Sequence, residues 1–100
     1  MDIQINAIHF DITQKLNDFI VKKIERLVRH YSSITSVNVS LRVVKPETAM
    51  NKQAIIVAAA PLRDDIAADK TADSFEEAVD LCLEAISRQL EKIKNKNRPS

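Results

Sequence analysis

Residues 74–96, SFEEAVDLCLEAISRQLEKIKNK, decide the fold because they predict one long amphipathic helix. Its apolar residues recur at steps of three and four and therefore share one face, which is formed by Phe75, Val79, Cys82, Leu83, Ile86, Leu90 and Ile93. Ser74 and Glu77 fit a capping box, in which each side chain satisfies a backbone donor of the other residue, so the helix is expected to begin near Ser74. The apolar face must pack against the rest of the chain.

The charge of this predicted helix changes along its length. Acidic residues fill the first half and basic residues the second: Asp73, Glu76, Glu77, Asp80 and Glu84, then Arg88, Lys92, Lys94 and Lys96. The helix dipole favours this arrangement. Arg88, Lys92 and Lys96 also lie one turn apart on a solvent-facing line, where like charges repel one another. An anionic partner would relieve that repulsion.

The remaining sequence predicts four strands and a second helix. Residues 1–7 and, more clearly, 37–43 alternate between apolar and polar residues, as half-buried strands do. Residues 12–31 follow the helical period between them, with Thr13 as the expected N-cap. Residues 53–60 are largely apolar, which fits a strand covered on both faces or lined by small residues on its open face. Residues 64–72 predict a weaker fourth strand with the charges of a sheet edge.

This order of elements predicts an α+β domain, β-α-β-β-β-α, with both helices side by side on one face of a four-stranded sheet. A right-handed crossover makes the first two strands parallel, and short connections make the other pairs antiparallel. The helices would then bring together two basic lines, Lys22, Arg26 and Arg29 on the first helix and Arg88, Lys92 and Lys96 on the second.

The first helix also carries acidic residues that reduce its positive charge. Asp18 and Glu25 flank the first basic line and are placed to pair with Lys22 and Arg29 one turn later. Charged side chains are typical of any solvated helix face, so the basic line by itself does not require a ligand.

Composition narrows the classes of function. The chain of 100 residues is long enough for one domain. Its 15 basic and 14 acidic side chains nearly cancel, so the net charge does not indicate a polyanionic partner. Only the distribution of charge over the surface can indicate one. The absence of glycine excludes glycine-dependent phosphate loops. No segment reads as a membrane span or a secretory signal, and the single cysteine excludes an internal disulfide, so we expect a cytoplasmic protein.

Catalysis is not expected from this sequence. His9 and His30 are the only histidines, Cys82 belongs to an apolar face, and the acidic cluster at Asp64, Asp65 and Asp69 lacks the spacing of calcium sites. We therefore expect no catalytic residue, metal site, cofactor or small-molecule substrate. Two kinds of binding protein remain open. One contacts RNA phosphates through the basic lines, and the other is a protein-binding regulatory module of the same fold without RNA contact.

The chain resembles a known bacterial family, the short ribosome hibernation promoting factors and ribosome-associated translation inhibitors. The resemblance begins with Ile12 and Thr13, extends through the strand VNVSLRVVK at residues 37–45, and is most specific at Arg88-Gln89-Leu90. Other matching positions are Leu16, Phe19, Lys23, Arg26, Leu27, Ala78, Asp80, Lys92, Lys94 and Lys96. The resemblance implies a fold similar to double-stranded RNA-binding domains. It also implies binding to the small ribosomal subunit and its ribosomal RNA, in the channel used by messenger and transfer RNA.

Such binding would inhibit translation in stressed, stationary-phase cells, by a protein that is a monomer away from the ribosome. The resemblance marks Lys23, Arg26, Arg88, Lys92 and Lys94 as RNA-binding residues, and helix geometry adds Lys22, Arg29 and Lys96. Two positions depart from the family pattern, because Phe75 stands where a tyrosine is usual and residues 61–64 replace a glycine-bearing turn. We expect residues 1–100 to form a single ribosome-binding domain with a flexible basic tail, and ribosome pairing by this chain alone is not implied.

Overall fold

The structure, a computed structural model, describes residues 2–44, 50–61 and 65–96, with side chains described as far as residue 92. The predicted connection at residues 45–49, most of the turn at 61–64, the side chains of Lys94 and Lys96 and the predicted tail lie outside the described residues. The elements are β1 Asp2–Ala7, α1 Gln14–His30, β2 Ser36–Val43, β3 Lys52–Ala59, β4 Ile66–Ala72 and α2 Phe75–Lys96. Their predicted order is confirmed, and so is the weakly patterned β4.

The four strands form one sheet in the order β1-β2-β3-β4. β1 and β2 are parallel, and the other two pairs are antiparallel, as predicted. One row across the sheet joins Ile5, Val39, Ile56 and Ala68 in register, which places apolar side chains of all four strands on the same face. β4 is an edge strand, which accounts for its exposed charged residues.

Both helices pack on the apolar face of this sheet. Buried residues of α1, α2, β2, β3 and β4 form a single core cluster, and Cys82 is fully buried within it. The Cys82 thiol donates to the Ala54 carbonyl at 3.1 Å, and burial raises its pKa to about 11. The prediction that Cys82 belongs to the core is confirmed. The expectation of small residues on the open face of β3 is wrong at Ile55 and Val57, which are half-buried there, whereas the small residues Ala54 and Ala58 face the core.

Side-chain oxygens cap both helices at the predicted residues. The Leu16 amide donates to Thr13 Oγ1 at 3.1 Å, and the Glu77 amide donates to Ser74 Oγ at 3.2 Å. Without glycine, the described part of the chain enters the left-handed region at His9 and Met50, with φ of 64° and 54°. The Met50 amide donates to the carboxylate of Asp73 at 2.8 Å, which helps to hold that turn.

The helices run in the same direction, because β1 and β4 are parallel and each helix returns along the sheet. The rings of Phe10 and Phe75 stack near the N-terminal ends of the helices, with centroids 4.9 Å apart. At the opposite ends, the Tyr31 hydroxyl donates to the Glu91 carboxylate. The C-terminal halves of α1 and α2, which carry most of their basic residues, therefore lie at the same end of the domain.

Candidate nucleic-acid interface

Lys22, Arg26 and Arg29 form an exposed basic surface on α1, which we call the α1 basic face. It lies on the solvent side because Leu16, Ile20, Ile24 and Leu27 occupy the opposite stripe and are buried in the core. The three basic residues line one shallow depression together with Glu25 and His30. The predicted first basic line is therefore a continuous surface that a large ligand can reach.

The α1 basic face is less neutralised than its sequence suggests. Within residues 2–44, 50–61 and 65–92, the ion pairs are Lys23–Asp80 and Arg88–Glu84, and neither includes Lys22, Arg26 or Arg29. Asp18 instead accepts a hydrogen bond from the side-chain amide of Gln14. An exposed ion pair between residues one turn apart stabilises a helix by only about 0.3–0.5 kcal/mol. The entropy lost when two long side chains are ordered can offset this gain. The α1 basic face thus keeps its charge available.

The second basic line is described only in its first two members. Arg88 and Lys92 are exposed on α2, with 74% of the Arg88 side chain accessible to solvent. The Arg88 guanidinium contacts the Glu84 carboxylate one turn earlier. Arg88 is thus partly neutralised by its own helix. Lys92 forms no ion pair within the described part of the chain.

A groove runs between the two helices and separates the basic lines. It has an apolar floor at Leu27 and Leu83, and its walls carry opposite charges. Its polar lining residues are Lys23, Arg26 and His30 on α1 and Asp80, Glu84 and Ser87 on α2. Lys23 Nζ lies 3.4 Å from the Asp80 carboxylate and bridges the groove. The two predicted lines therefore flank a groove whose α2 wall is acidic.

Sequence reasoning missed the roles of Asp80 and Glu84 in this groove. The spacing of Glu84 and Arg88 is a signal that identifies one of the two ion pairs in advance. No periodicity predicts the pairing of Lys23 with Asp80, because it depends on how two distant segments pack. Lys23 also lies 5.4 Å from the centre of the Phe19 ring, so its side chain is held on two sides.

The aromatic side chains are packed partly into the core. Phe10, Phe19, Tyr31 and Phe75 are partly buried and pack against the core cluster. This supports the expectation that they are unsuited to stacking on unpaired bases, which leaves phosphate and shape recognition for RNA.

Residues 3–98 match the model of the family described as Sigma 54 modulation protein / S30EA ribosomal protein. The chain belongs to this family. A relative in Azotobacter vinelandii, named ribosome hibernation promoting factor, is 31% identical over 96 residues, which cover 96% of this chain and 85% of the relative. The protein of the same name in Pseudomonas putida is 26% identical over 98 residues, with 98% of this chain and 91% of the relative covered.

Solved structures share the fold of this S30EA-family chain. A ribosomal subunit interface protein from Coxiella burnetii superimposes with a TM-score of 0.83, at 24% identity, over 95% of this chain and 99% of that protein. The N-terminal domain of Protein Y from Thermus thermophilus gives a TM-score of 0.76 at 20% identity, over 93% of this chain and 99% of that domain. The β-α-β-β-β-α architecture predicted from the sequence is confirmed by this likeness.

No cluster of three or more histidine, cysteine or acidic residues suited to a metal ion occurs in residues 2–44, 50–61 or 65–96. Over the same ranges, neither helix combines the length and apolar character that crossing a membrane requires.

Proposed function

We propose that this chain is a ribosome hibernation factor, which binds the small ribosomal subunit and inhibits translation. The observation that carries the proposal is membership of the S30EA family over residues 3–98, together with a relative of that name at 31% identity. Inhibition would follow from occupancy of the channel used by messenger and transfer RNA, so no catalytic step is required. The protein would act in the cytoplasm, where ribosomes work, and would be a monomer when released.

The proposed contact is electrostatic and involves both helices. Cationic side chains displace condensed counterions from RNA phosphates, and this release favours binding most strongly at low salt. The α1 basic face supplies three cations without a carboxylate partner among the described residues. The full proposed set of RNA-contacting residues is Lys22, Lys23, Arg26, Arg29, Arg88, Lys92, Lys94 and Lys96.

Recognition would depend on the shape of folded ribosomal RNA rather than on base sequence. Phosphate contacts fix the position and orientation of a protein but carry little sequence information. The half-buried aromatic side chains support this view, because the core already covers part of each side chain that could stack on a base. A structured RNA surface whose phosphates match the spacing of the two helices is the partner that this geometry favours.

Co-sedimentation of the purified protein with isolated small ribosomal subunits, over a series of salt concentrations, tests the proposal. We expect binding that weakens by orders of magnitude as salt rises, and its loss in the variant R26E/R88E, whose substitutions are both at exposed positions. The matched control is E76K/E77K, which changes two exposed residues at the acidic start of α2.

Three results would contradict the proposal. The first is a parent protein that does not bind subunits at low salt. The second is an R26E/R88E variant that binds as well as the parent. The third is binding that depends little on salt and is lost in E76K/E77K, which would favour the alternative of a protein-binding module. Circular dichroism of each variant checks that the fold is intact.

A further inference from the structure

The inter-helix groove contains two carboxylates whose position differs from that of the acidic residues in the first turn of α2. Asp80 and Glu84 line the groove and contact Lys23 and Arg88, two of the proposed RNA-binding residues. Glu76 and Glu77, in the first turn of the same helix, are exposed and contact no cation in the described part of the chain. Asp80 and Glu84 therefore lie inside the proposed RNA-facing surface.

The stability of the fold does not account for these two ion pairs. The side chains of Lys23 and Asp80 are 37% and 51% exposed, and those of Arg88 and Glu84 are 74% and 56% exposed. Pairs at this level of exposure contribute little to folding, because water and salt screen them. Their effect on a polyanion is larger, since RNA phosphates that bind Lys23 and Arg88 meet the negative charges of Asp80 and Glu84 and must displace them from these cations.

We infer that Asp80 and Glu84 are selectivity residues, which hold Lys23 and Arg88 and keep RNA of the wrong shape from binding. This inference rests on the proposed function of the same surface. A flexible or irregular RNA would gain only the contacts with the α1 basic face. An RNA surface of matching shape would contact that face and α2 together, and its additional contacts would outweigh the exchange of two carboxylates for phosphates.

The test compares the parent with D80N/E84Q, which removes both charges with little change in side-chain size. Two ligands are used, a generic RNA hairpin and isolated small ribosomal subunits. We expect affinity for the hairpin to rise about three- to tenfold, and the slope of log affinity against log salt to steepen by about one or two, because two cations become available to phosphates. Affinity for the subunit should change less, so the ratio between the two ligands falls.

The matched control is E76Q/E77Q, which changes the net charge by the same amount in the first turn of α2. We expect less than about a twofold change in affinity for the hairpin, because these carboxylates do not hold proposed RNA-binding residues. A second comparison adds K23Q to each protein. K23Q should weaken hairpin binding more in the D80N/E84Q background than in the parent, since Lys23 is already paired with Asp80 in the parent.

The results separate this inference from the proposed function. Suppose that the parent binds subunits and that the hairpin affinity is the same for the parent, D80N/E84Q and E76Q/E77Q. That result overturns the inference but is consistent with the proposed function. An equal gain in both double variants also overturns it, because net charge alone would then be the cause. Tighter hairpin binding in D80N/E84Q by a protein that does not bind subunits supports the carboxylate role and overturns the function.

Discussion

The hydroxyl of Tyr31, at the end of α1, donates a hydrogen bond to the carboxylate of Glu91 on α2 and joins the C-terminal ends of the two helices. This bond raises the pKa of Tyr31, because the neutral phenol donates to a negatively charged acceptor and the phenolate would be repelled by it. The contact is exposed, so it orders the helix ends without burying charge.

Removal of this hydroxyl should loosen the helix ends. We expect Tyr31→Phe to lower the free energy of unfolding by about 1 kcal/mol in urea titrations at neutral pH. A raised pKa in the folded state gives stabilisation that is present below the unfolded pKa near 10 and is lost as pH rises through the folded value. The difference between parent and variant should therefore shrink at strongly alkaline pH. A difference that grows there would contradict this assignment.

The thiol of Cys82 should be chemically silent in the folded protein. It is fully buried, and its pKa of about 11 leaves almost no thiolate at neutral pH. We expect labelling by a disulfide reagent to be slow in buffer and fast in denaturant. Rapid labelling of the native protein would contradict this burial and would show that α2 opens readily.

The two faces of β3 should differ in their tolerance to truncation. Ile56 is fully buried in the core, whereas its neighbour Ile55 is half-buried on the open face of the sheet. We expect Ile56→Ala to destabilise the protein by about 2–5 kcal/mol and Ile55→Ala by much less, as measured by chemical denaturation. Equal losses at the two positions would indicate that the open face is covered by something else in solution.

Single neutralisations within the α1 basic face should act alike on RNA binding. Lys22→Gln, Arg26→Gln and Arg29→Gln are each expected to weaken subunit binding and to reduce the salt slope by about one. Arg42→Gln is the control, because Arg42 is exposed on β2 and alternates with the buried Leu41, which places it on the sheet face away from the helices. An Arg42 variant with the same loss would move the proposed surface to that open face.

Most of the fold followed from periodicity because β1, β2 and both helices show it clearly. The alternation around Val37, Val39 and Leu41 identified β2, and Thr13 and Ser74 marked the helix starts with the side chains that cap them in the structure. The structure adds that the two helices are parallel, because β1 and β4 run in the same direction. β4 was harder to predict because an edge strand makes fewer apolar contacts, so its sequence carries fewer apolar residues in a regular pattern.

The candidate surface was only partly predictable. Exposure of Lys22, Arg26 and Arg29 followed from the helical period, since the buried stripe of α1 is regular. The pairing of Lys23 with Asp80 was not predictable, because it is set by the distance and rotation between two helices. The expected pairs of Asp18 and Glu25 are not formed, and their small free energy explains why spacing alone is a poor guide.

The shared direction of α1 and α2 also affects how the molecule approaches a partner. With a net charge of only +1, a distant polyanion exerts little pull on the protein as a whole. The acidic start of α2 and the basic ends of both helices nevertheless separate charge along one axis. The field of a polyanion would thus exert a torque, turning the basic end forward before contact. Such steering would have little effect on the total number of encounters. It would mainly raise the fraction of encounters that lead to binding.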